Sequence, residues 1–568
     1  MSFVVAGAGR WLARPGAGAE RRRQNGTVPD TFAFVLHSHL PYARGAGRWP
    51  HGEEWIHEAV LGTYLPILAT LHDLRAADVP FRMTIGITPV LLDQLADRDV
   101  IHRTVQYIDD QIRRADTDRQ RFQAEGHAHR RELASFYAHI YRSLGTAYVA
   151  RFDRDIPGAF ADLARTGHVE ILTSAATHGY LPLLDDETVH LQLATGRRTS
   201  RQLLGIEPTG IWLPECAYRP GLETLLEDHG FTHFFTDANL LAGVPTTRGR
   251  MRRSPRERER SGAALAAIAE LERPPVSPPG GATDVFRPYL VAASDVVAVA
   301  RHPEVSGQVW SASIGYPGDP FYREFHRKDE RSGLRYWRVT DQATGLGEKA
   351  EYMPHAASER VHAHADHFVT VVRRELEAHR ERTGRDGLLT VTFDSELFGH
   401  WWFEGVNWLA EVLRRMAAGG PKVTTIAERL AASPPQERIA LREGSWGKDN
   451  DHSTWVNEGT GWIWDELDRM QRRFADAKRT TSSDAFRQRA LRQAARELLL
   501  ASASDWPFLV TTGQAADYAV ERFRSHSLRF HRACELARRG TADDEVELRS
   551  LEHADDPFPD VDVGAFSS

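Results

Sequence analysis

Leu388-Leu389-Thr390-Val391-Thr392-Phe393-Asp394-Ser395-Glu396-Leu397-Phe398-Gly399-His400-Trp401-Trp402 is the stretch from which the fold is read. Its first six residues are apolar or β-branched, the pattern of a buried strand, and a carboxylate follows at the strand's carboxyl end. Five other runs repeat the arrangement. Residues 31–36 (TFAFVL) end at His37-Ser38-His39, and residues 81–87 (FRMTIGI) end at a Thr-Pro turn. Residues 169–172 lead into the turn that carries His178, residues 210–213 lead to Glu215, and residues 231–236 lead to Asp237. Helical patterns lie between these runs, as at 219–229 and 405–417. Strands alternating with helices predict an α/β architecture. Polar residues at the ends of many strands favour a barrel over a doubly wound sheet, and no dinucleotide fingerprint follows the first strand.

The 568 residues exceed one ordinary core, so several domains are expected. Residues 1–27, rich in Gly, Ala and Arg, read as a disordered leader without signal-peptide grammar. A catalytic barrel is expected over 28–433. It includes a charged, Arg-rich helical insertion at about 95–155, expected to project from the barrel. It also includes a flexible excursion at about 245–281, with Arg residues crowded at its start, prolines at its end and a short helix near 263–271. Pro434-Pro435 marks the expected boundary to a helical C-terminal domain over 434–541. Residues 542–568 read as a loose acidic tail.

Apolar (41%) and charged (26%) content are those of a soluble globular protein. The net charge of −7 gives no general reason to bind nucleic acid, and Glu residues dilute the Arg cluster at 248–260. No segment is long and apolar enough to cross a membrane. Cys216 and Cys534 suggest no disulfide framework, so a reduced, cytoplasmic protein is expected, with a monomer slightly favoured.

Many of the 14 Trp residues adjoin Gly, Pro, Asp or His, as a surface that stacks on sugar rings would require. Two carboxylates flanking one bond are the usual equipment for glycosidic cleavage. Glu215, within Trp212-Leu213-Pro214-Glu215-Cys216-Ala217-Tyr218, reads as a nucleophile or as a structural acid paired with Arg. Asp394 reads as a general acid or as a helix N-cap, and Glu396 competes for the acid role. Cys216 reads as a small buried hydrophobe. His37 with His39, and His362 with His364 and His367, have no third ligand fixed by spacing, so no metal or other cofactor is expected. Substrate hydroxyl binding by His37 and His178 is the expectation instead.

Taken together these segments resemble glycoside hydrolase family 57, and within it the 1,4-alpha-glucan branching enzymes, from about residue 32 to about residue 531. The motifs that carry the resemblance are His37-Ser38-His39-Leu40-Pro41-Tyr42, Thr177-His178-Gly179-Tyr180, residues 210–218 and residues 394–402. Further likeness lies in Glu53-Glu54-Trp55 with Thr63-Tyr64-Leu65-Pro66, in Trp310-Ser311 followed by Gly315-Tyr316-Pro317-Gly318-Asp319, in Glu443-Gly444-Ser445-Trp446-Gly447, and in Asp505-Trp506-Pro507-Phe508. Two features depart from the pattern: Arg301 is followed by His302 where the family usually carries Asp, and the 245–281 excursion is longer than usual.

The resemblance implies an incomplete seven-stranded (β/α) barrel, a helical insertion and a mainly helical C-terminal domain. It implies Glu215 as nucleophile, Asp394 as general acid/base, retention of configuration and no metal. Trp310, Trp446 and Trp455 are implied to line a glucan groove. Substrate contacts are expected from His37, His39, His178, Trp212, Asp237, Trp310, His400, Trp401, Trp446 and Trp455. The implied activity cleaves an alpha-1,4-glucan donor and transfers the segment to the C6 hydroxyl of an acceptor glucan. An alpha-amylase or 4-alpha-glucanotransferase would use the same residues. A metal-dependent deacetylase or mannosidase would need a metal at His37 and His39. A glycan-binding protein would keep the Trp surfaces without needing Glu215.

Overall fold

The structure is a computed structural model describing residues 29–47, 52–242, 244, 247–248, 283–311, 314–341 and 343–564. The expected leader, the helix expected near 263–271 and nearly all of the 245–281 excursion lie outside the described residues.

Seven strands carry the barrel: β1 (Thr31–Ser38), β2 (Met83–Ile87), β3 (Val169–Ser174), β4 (Gly210–Trp212), β5 (His233–Thr236), β6 (Val297–Ala300) and β7 (Leu388–Asp394). Their order is β7-β1-β2-β3-β4-β5-β6, and every neighbouring pair is parallel. Such strands are buried on both faces, which explains their near-continuous apolar sequences. The sheet extends past β6 through Tyr289–Val291, antiparallel to it, then Glu437–Ile439 and Thr247–Arg248. Among the described residues it does not close into a continuous ladder. The two ends meet instead through single bonds, His302 N–H to Thr390 O (2.7 Å) and Leu388 N–H to Phe286 O (2.9 Å). This is the incomplete seven-stranded barrel expected. The sheet continues past Pro434-Pro435, because Glu437–Ile439 pairs within it and Ile439 and Leu441 are buried in the barrel's core. The expected boundary at 434 therefore falls too early.

The period-2 alternation of β1 decides what faces the site. Phe32, Phe34 and Leu36 pack outward under the helical layer. Ala33 and Val35 point into the barrel with Leu172, Trp212, Phe235, Val297 and Val299. His37 continues that inner row and stacks on Trp212 at 4.6 Å. In β7 the same rule turns Leu389, Val391 and Phe393 outward, and Asp394 pairs in register with His37. Nucleophile and acid candidates thus reach the carboxyl-terminal face from strands on either side of β1, the face where barrel active sites are built.

The helical insertion is an antiparallel pair, α1 (Arg98–Ala124) and α2 (Ala128–Thr146), capped at its start by the Asp97 carboxylate. It does not project. Val100, Ile108, Phe122, Leu133 and Tyr137 share one core with Phe32 and Phe34.

The C-terminal region comprises α3 (Gly461–Thr480), α4 (Ala485–Ala501), α5 (Asp505–Thr512), α6 (Ala516–Arg539) and α7 (Glu545–Ala554). Its core takes in Tyr42, Val90, Ala176 and Leu191 of the barrel. Residues 542–564, expected to be loose, are ordered. Arg489 binds Glu545 and Glu552, Arg532 binds Glu547, and Phe558 and Val561 are buried. The acidic residues of the tail are met by arginines of α4 and α6, a complementarity that composition alone does not display.

The turn after β7 is fixed by close backbone packing. Gly399 has φ +95° and its Cα faces the carbonyl of Gly62 with no room for a Cβ; its N–H donates to Trp402 O at 2.7 Å. Gly384, at φ +68°, ends the helix Pro354–Thr383 with nothing near its Cβ position. Gly399→Ala is expected to cost roughly 2–4 kcal/mol, from a clash added to backbone strain, and Gly384→Ala about 1 kcal/mol. Melting temperatures of the two variants check this; equal losses would contradict it.

Candidate active site

Glu215 sits in the turn Pro214–Cys216 directly after β4, with φ 62° and ψ 21°. A left-handed conformation in a non-glycine residue costs roughly 1–2 kcal/mol and is kept only where the surroundings impose it. Here they do. Cys216 N–H donates to Leu213 O (2.9 Å), Ala217 N–H to Pro214 O (3.0 Å), and Trp446 N–H to Glu215 O (3.0 Å). The side chain is gripped at both oxygens. Ser504 Oγ–H donates to Oε1 and Trp446 Nε1–H to Oε2, each at 2.8 Å. Burial raises the Glu215 pKa above the usual carboxylate range, and the two donors oppose that rise by favouring the ionised form.

Asp394 is in the opposite situation. It does not cap the turn Ser395–Leu397 that follows it, so the N-cap reading fails. Burial, then repulsion from Glu396 and Glu215, pushes its pKa well above the usual value. The site thus holds one carboxyl supplied with donors and another whose surroundings favour its protonated form, two environments that differ as those of an acid–base pair do.

Glu396, the competitor, is tied down. Its Oε1 accepts from Tyr64 O–H and from His39 N–H (3.2 Å), and burial sets its pKa at about 7. Tyr64 ends a wide helical turn, Val60–Tyr64, that follows the helix Glu54–Ala59.

Three imidazoles stack above Trp212. His39 lies 3.9 Å from His178, and His178 5.0 Å from His37, between ring centres. Burial alone would lower the His39 pKa, but Asp505, bound to Nε2 at 3.0 Å, raises it. His37 and His178 are driven well below the usual value by burial and by the His39 charge. His39, His178 and Asp505 have ligand atoms within 4.8 Å of one another and form one of two such clusters among the described residues, the other being Glu497, His526 and Asp555 away from this site. Each residue of the first already has a protein partner: Asp505 binds His39, while His178 is engaged by Ser504 and His37.

The other expected residues divide. Trp446 is half-buried beside Glu215 rather than on an exposed rim, with its ring edge-on to Trp212 and the Arg301 guanidinium 5.4 Å from its centre. Trp310 and Trp401 are exposed, at 40% and 48%. Trp212 and Trp455 are buried, at 0% and 1%. They offer no stacking face: Trp212 floors the histidine stack and Trp455 lies against Tyr180 at 4.6 Å. Asp237 is also internal. It accepts from Arg301 at 2.7 Å and caps the short helix Ala238–Leu241, so its oxygens are already used. His302 caps the helix Pro303–Trp310 through Nδ1, the service an Asp would perform there, and the Arg301–Asp237 pair is intact. His400 packs against Phe325 and lines a cavity of about 740 Å³ between insertion and barrel. Burial, then Arg335 and Arg323, pushes its pKa down to about 3. His362, His364 and His367 separate, binding Glu411, Tyr322 and Tyr316 respectively.

Tyr64, Arg301, Ser504 and Asp505 complete the site without having been read as site residues. Tyr64, Arg301 and Asp505 each lie in a segment that carries the resemblance, whereas Ser504 has no signal of its own.

Comparison with known proteins gives a consistent placement. The sequence model of Glycosyl hydrolase family 57 matches residues 33–442, and that of the 1,4-alpha-glucan branching enzyme C-terminal domain matches residues 466–566. A 1,4-alpha-glucan branching enzyme of Thermococcus kodakarensis is 41% identical over 559 residues, 94% of this chain and 78% of that one. A crystal structure of a family 57 branching enzyme from that organism superposes with a TM-score of 0.83 at 39% identity, covering 94% of this chain and 96% of the other. The alpha-amylase AmyC of Thermotoga maritima gives 0.79 at 30% identity, covering 95% and 100%. On the extent of these matches and the site they enclose, this chain belongs to glycosyl hydrolase family 57.

Proposed function

We propose that the chain is a 1,4-alpha-glucan branching enzyme that works by double displacement with Glu215 as nucleophile and Asp394 as general acid/base. The observation that carries the mechanism is the contrast between the two carboxyls: Glu215 receives two hydrogen bonds that favour its ionised form, while Asp394 is buried beside Glu396 and Glu215 with no hydrogen-bond donor to it among the described residues.

In the first step Glu215 attacks C1 of the donor glucan while Asp394 passes its proton to the departing oxygen. The donor segment is left as an ester on Glu215. In the second step Asp394 takes the proton from a C6 hydroxyl of an acceptor glucan, whose oxygen displaces Glu215 from C1. Configuration is retained because C1 is inverted twice. Trp446 stands at the nucleophile, and Trp310 and Trp401 supply exposed rings for stacking on glucan. The His37–His178–His39 stack beside Glu215 does not offer the expected free ring nitrogens to sugar hydroxyls, because Thr88, Asp505, Ser504 and the imidazoles themselves engage them and His37 Nδ1 is buried. Among the described residues no helix is long and apolar enough to cross a membrane.

The fold is shared with an alpha-amylase, so the barrel alone does not select the acceptor. What supports branching is the match of residues 466–566 to the branching-enzyme C-terminal domain, together with 41% identity to a branching enzyme over 94% of this chain. Incubation with amylose is expected to create alpha-1,6 linkages visible by proton NMR while reducing ends rise slowly. Reducing ends without alpha-1,6 signals would make it an amylase, and chain redistribution without them a 4-alpha-glucanotransferase.

The acid assignment is checked by mutation and pH. Asp394→Asn is expected to lose at least about 100-fold on amylose. Glu396→Gln, which keeps an acceptor for Tyr64 and His39, is expected to lose less than about tenfold. A raised pKa means that Asp394 stays protonated to higher pH and that activity falls as pH climbs through that pKa. The basic limb of kcat/KM is therefore expected to vanish in Asp394→Asn and persist in Glu396→Gln. The reverse pattern would transfer the acid role to Glu396.

A further inference from the structure

Three hydrogen bonds in series end on the nucleophile. Ser504 lies between α4 and α5, fully buried. Its Oγ is 2.8 Å from Glu215 Oε1 and 2.8 Å from His178 Nδ1. The far nitrogen of His178, Nε2, is 3.0 Å from His37 Nε2.

The direction of this chain follows from donor counting. An ionised carboxylate only accepts, so the single Ser504 hydroxyl proton points to Glu215. The Ser504 oxygen must then accept from His178 Nδ1–H. That tautomer leaves His178 Nε2 as a lone pair, which accepts from His37 Nε2–H. His37 Nδ1 is left without a proton, and it is a buried atom with no partner, as the scheme requires. Both imidazoles are neutral, because burial and the neighbouring His39 charge oppose protonation. Every proton in the series is therefore committed toward Glu215.

The serine is also fixed from its backbone. Ser504 N–H donates to His178 O at 3.0 Å, Tyr180 N–H donates to Ser502 O at 3.3 Å, and Gln192 Nε2 donates to Ser502 Oγ at 2.9 Å. The C-terminal region and the turn after β3 thus lock the hydroxyl in place.

We propose that Ser504, oriented by His178 and His37, is a positioning residue that drives the second half of the reaction by receiving Glu215 as it leaves. This rests on Glu215 being the nucleophile. In that step the acceptor's O–H bond breaks, its proton goes to the Asp394 carboxylate, and its oxygen bonds to C1. The bond from C1 to Glu215 breaks, and its electron pair returns to the Glu215 carboxylate. Charge arrives where a preoriented O–H already points. The same hydrogen bond is weaker to the uncharged ester than to the carboxylate. Losing it therefore slows breakdown of the ester more than its formation.

Maltosyl fluoride, an activated donor, separates the two halves in the full-length enzyme. Ser504→Ala is expected to keep a fluoride burst near one equivalent per site while its steady-state rate falls roughly tenfold to a hundredfold. Its acid limb of kcat/KM is expected to move to higher pH, because a donor to the ionised carboxyl has been removed. The other charged groups facing Glu215 (Asp505, His39, Asp394, and Arg301 behind Trp446) stay in place. Ser504→Thr is expected to restore both readouts. Ser504→Cys, isosteric but a weak donor, carries the same test if the alanine variant does not fold. A donorless variant with the wild-type steady-state rate and acid limb would overturn the proposal, as would burst and steady-state rates falling in equal proportion. Glu215→Gln run alongside keeps the underlying reading separate: if it still releases a stoichiometric burst, the nucleophile assignment itself has failed, whatever Ser504 does.

Discussion

A carboxylate that must attack from a buried site needs donors to stay ionised, and those donors must not quench it by moving. At Glu215, the proposed nucleophile, the chain provides a left-handed turn that aims the side chain and two groups from distant segments that grip it, Trp446 and Ser504. Much of the architecture follows from bringing those segments there. The loop carrying Trp446 is pinned by paired backbone bonds between Tyr218 and Gly444. The end of α4 is pinned by Thr177 and Gln192 to the turn after β3. The C-terminal helices therefore complete the site rather than append to it, since without them Glu215 loses a donor and His39 its counter-charge.

The aromatic residues separate into two populations with different physics. Trp212 and Trp455 are buried scaffolding, whose work is to hold His37 and Tyr180 at the right height. Trp310 and Trp401 keep open faces, and Trp446 packs on Trp212 while donating to Glu215. An aromatic beside a catalytic motif is thus as often a wall as a platform, and exposure decides between them.

Six of the seven barrel strands are legible as apolar runs ending in polar residues, and Glu215 and Asp394 are legible because each closes such a run. Val297–Ala300 lies outside the six runs, being four residues of Val and Ala that end not at a carboxylate or imidazole but at Arg301, whose partners Asp237 and Trp446 only the fold reveals. Long-range pairing is what sequence periodicity cannot carry. Asp237 reads as a strand-end acid, and only the fold reveals that Arg301 occupies it. Ser504 is a serine after a helix until the fold sets it against Glu215, 289 residues away. The acidic tail reads as loose because its arginine partners lie on other helices.

The account stands on Glu215 being the atom donor to the sugar in a covalent intermediate. A 5-fluoro glycosyl fluoride, which slows ester breakdown, followed by proteolysis and mass spectrometry of the labelled peptide, measures this directly. The account predicts one sugar per chain, on the peptide containing Glu215, formed in wild type and absent from Glu215→Gln. A label on Asp394 or Glu396, or full activity with no covalent label, would contradict it.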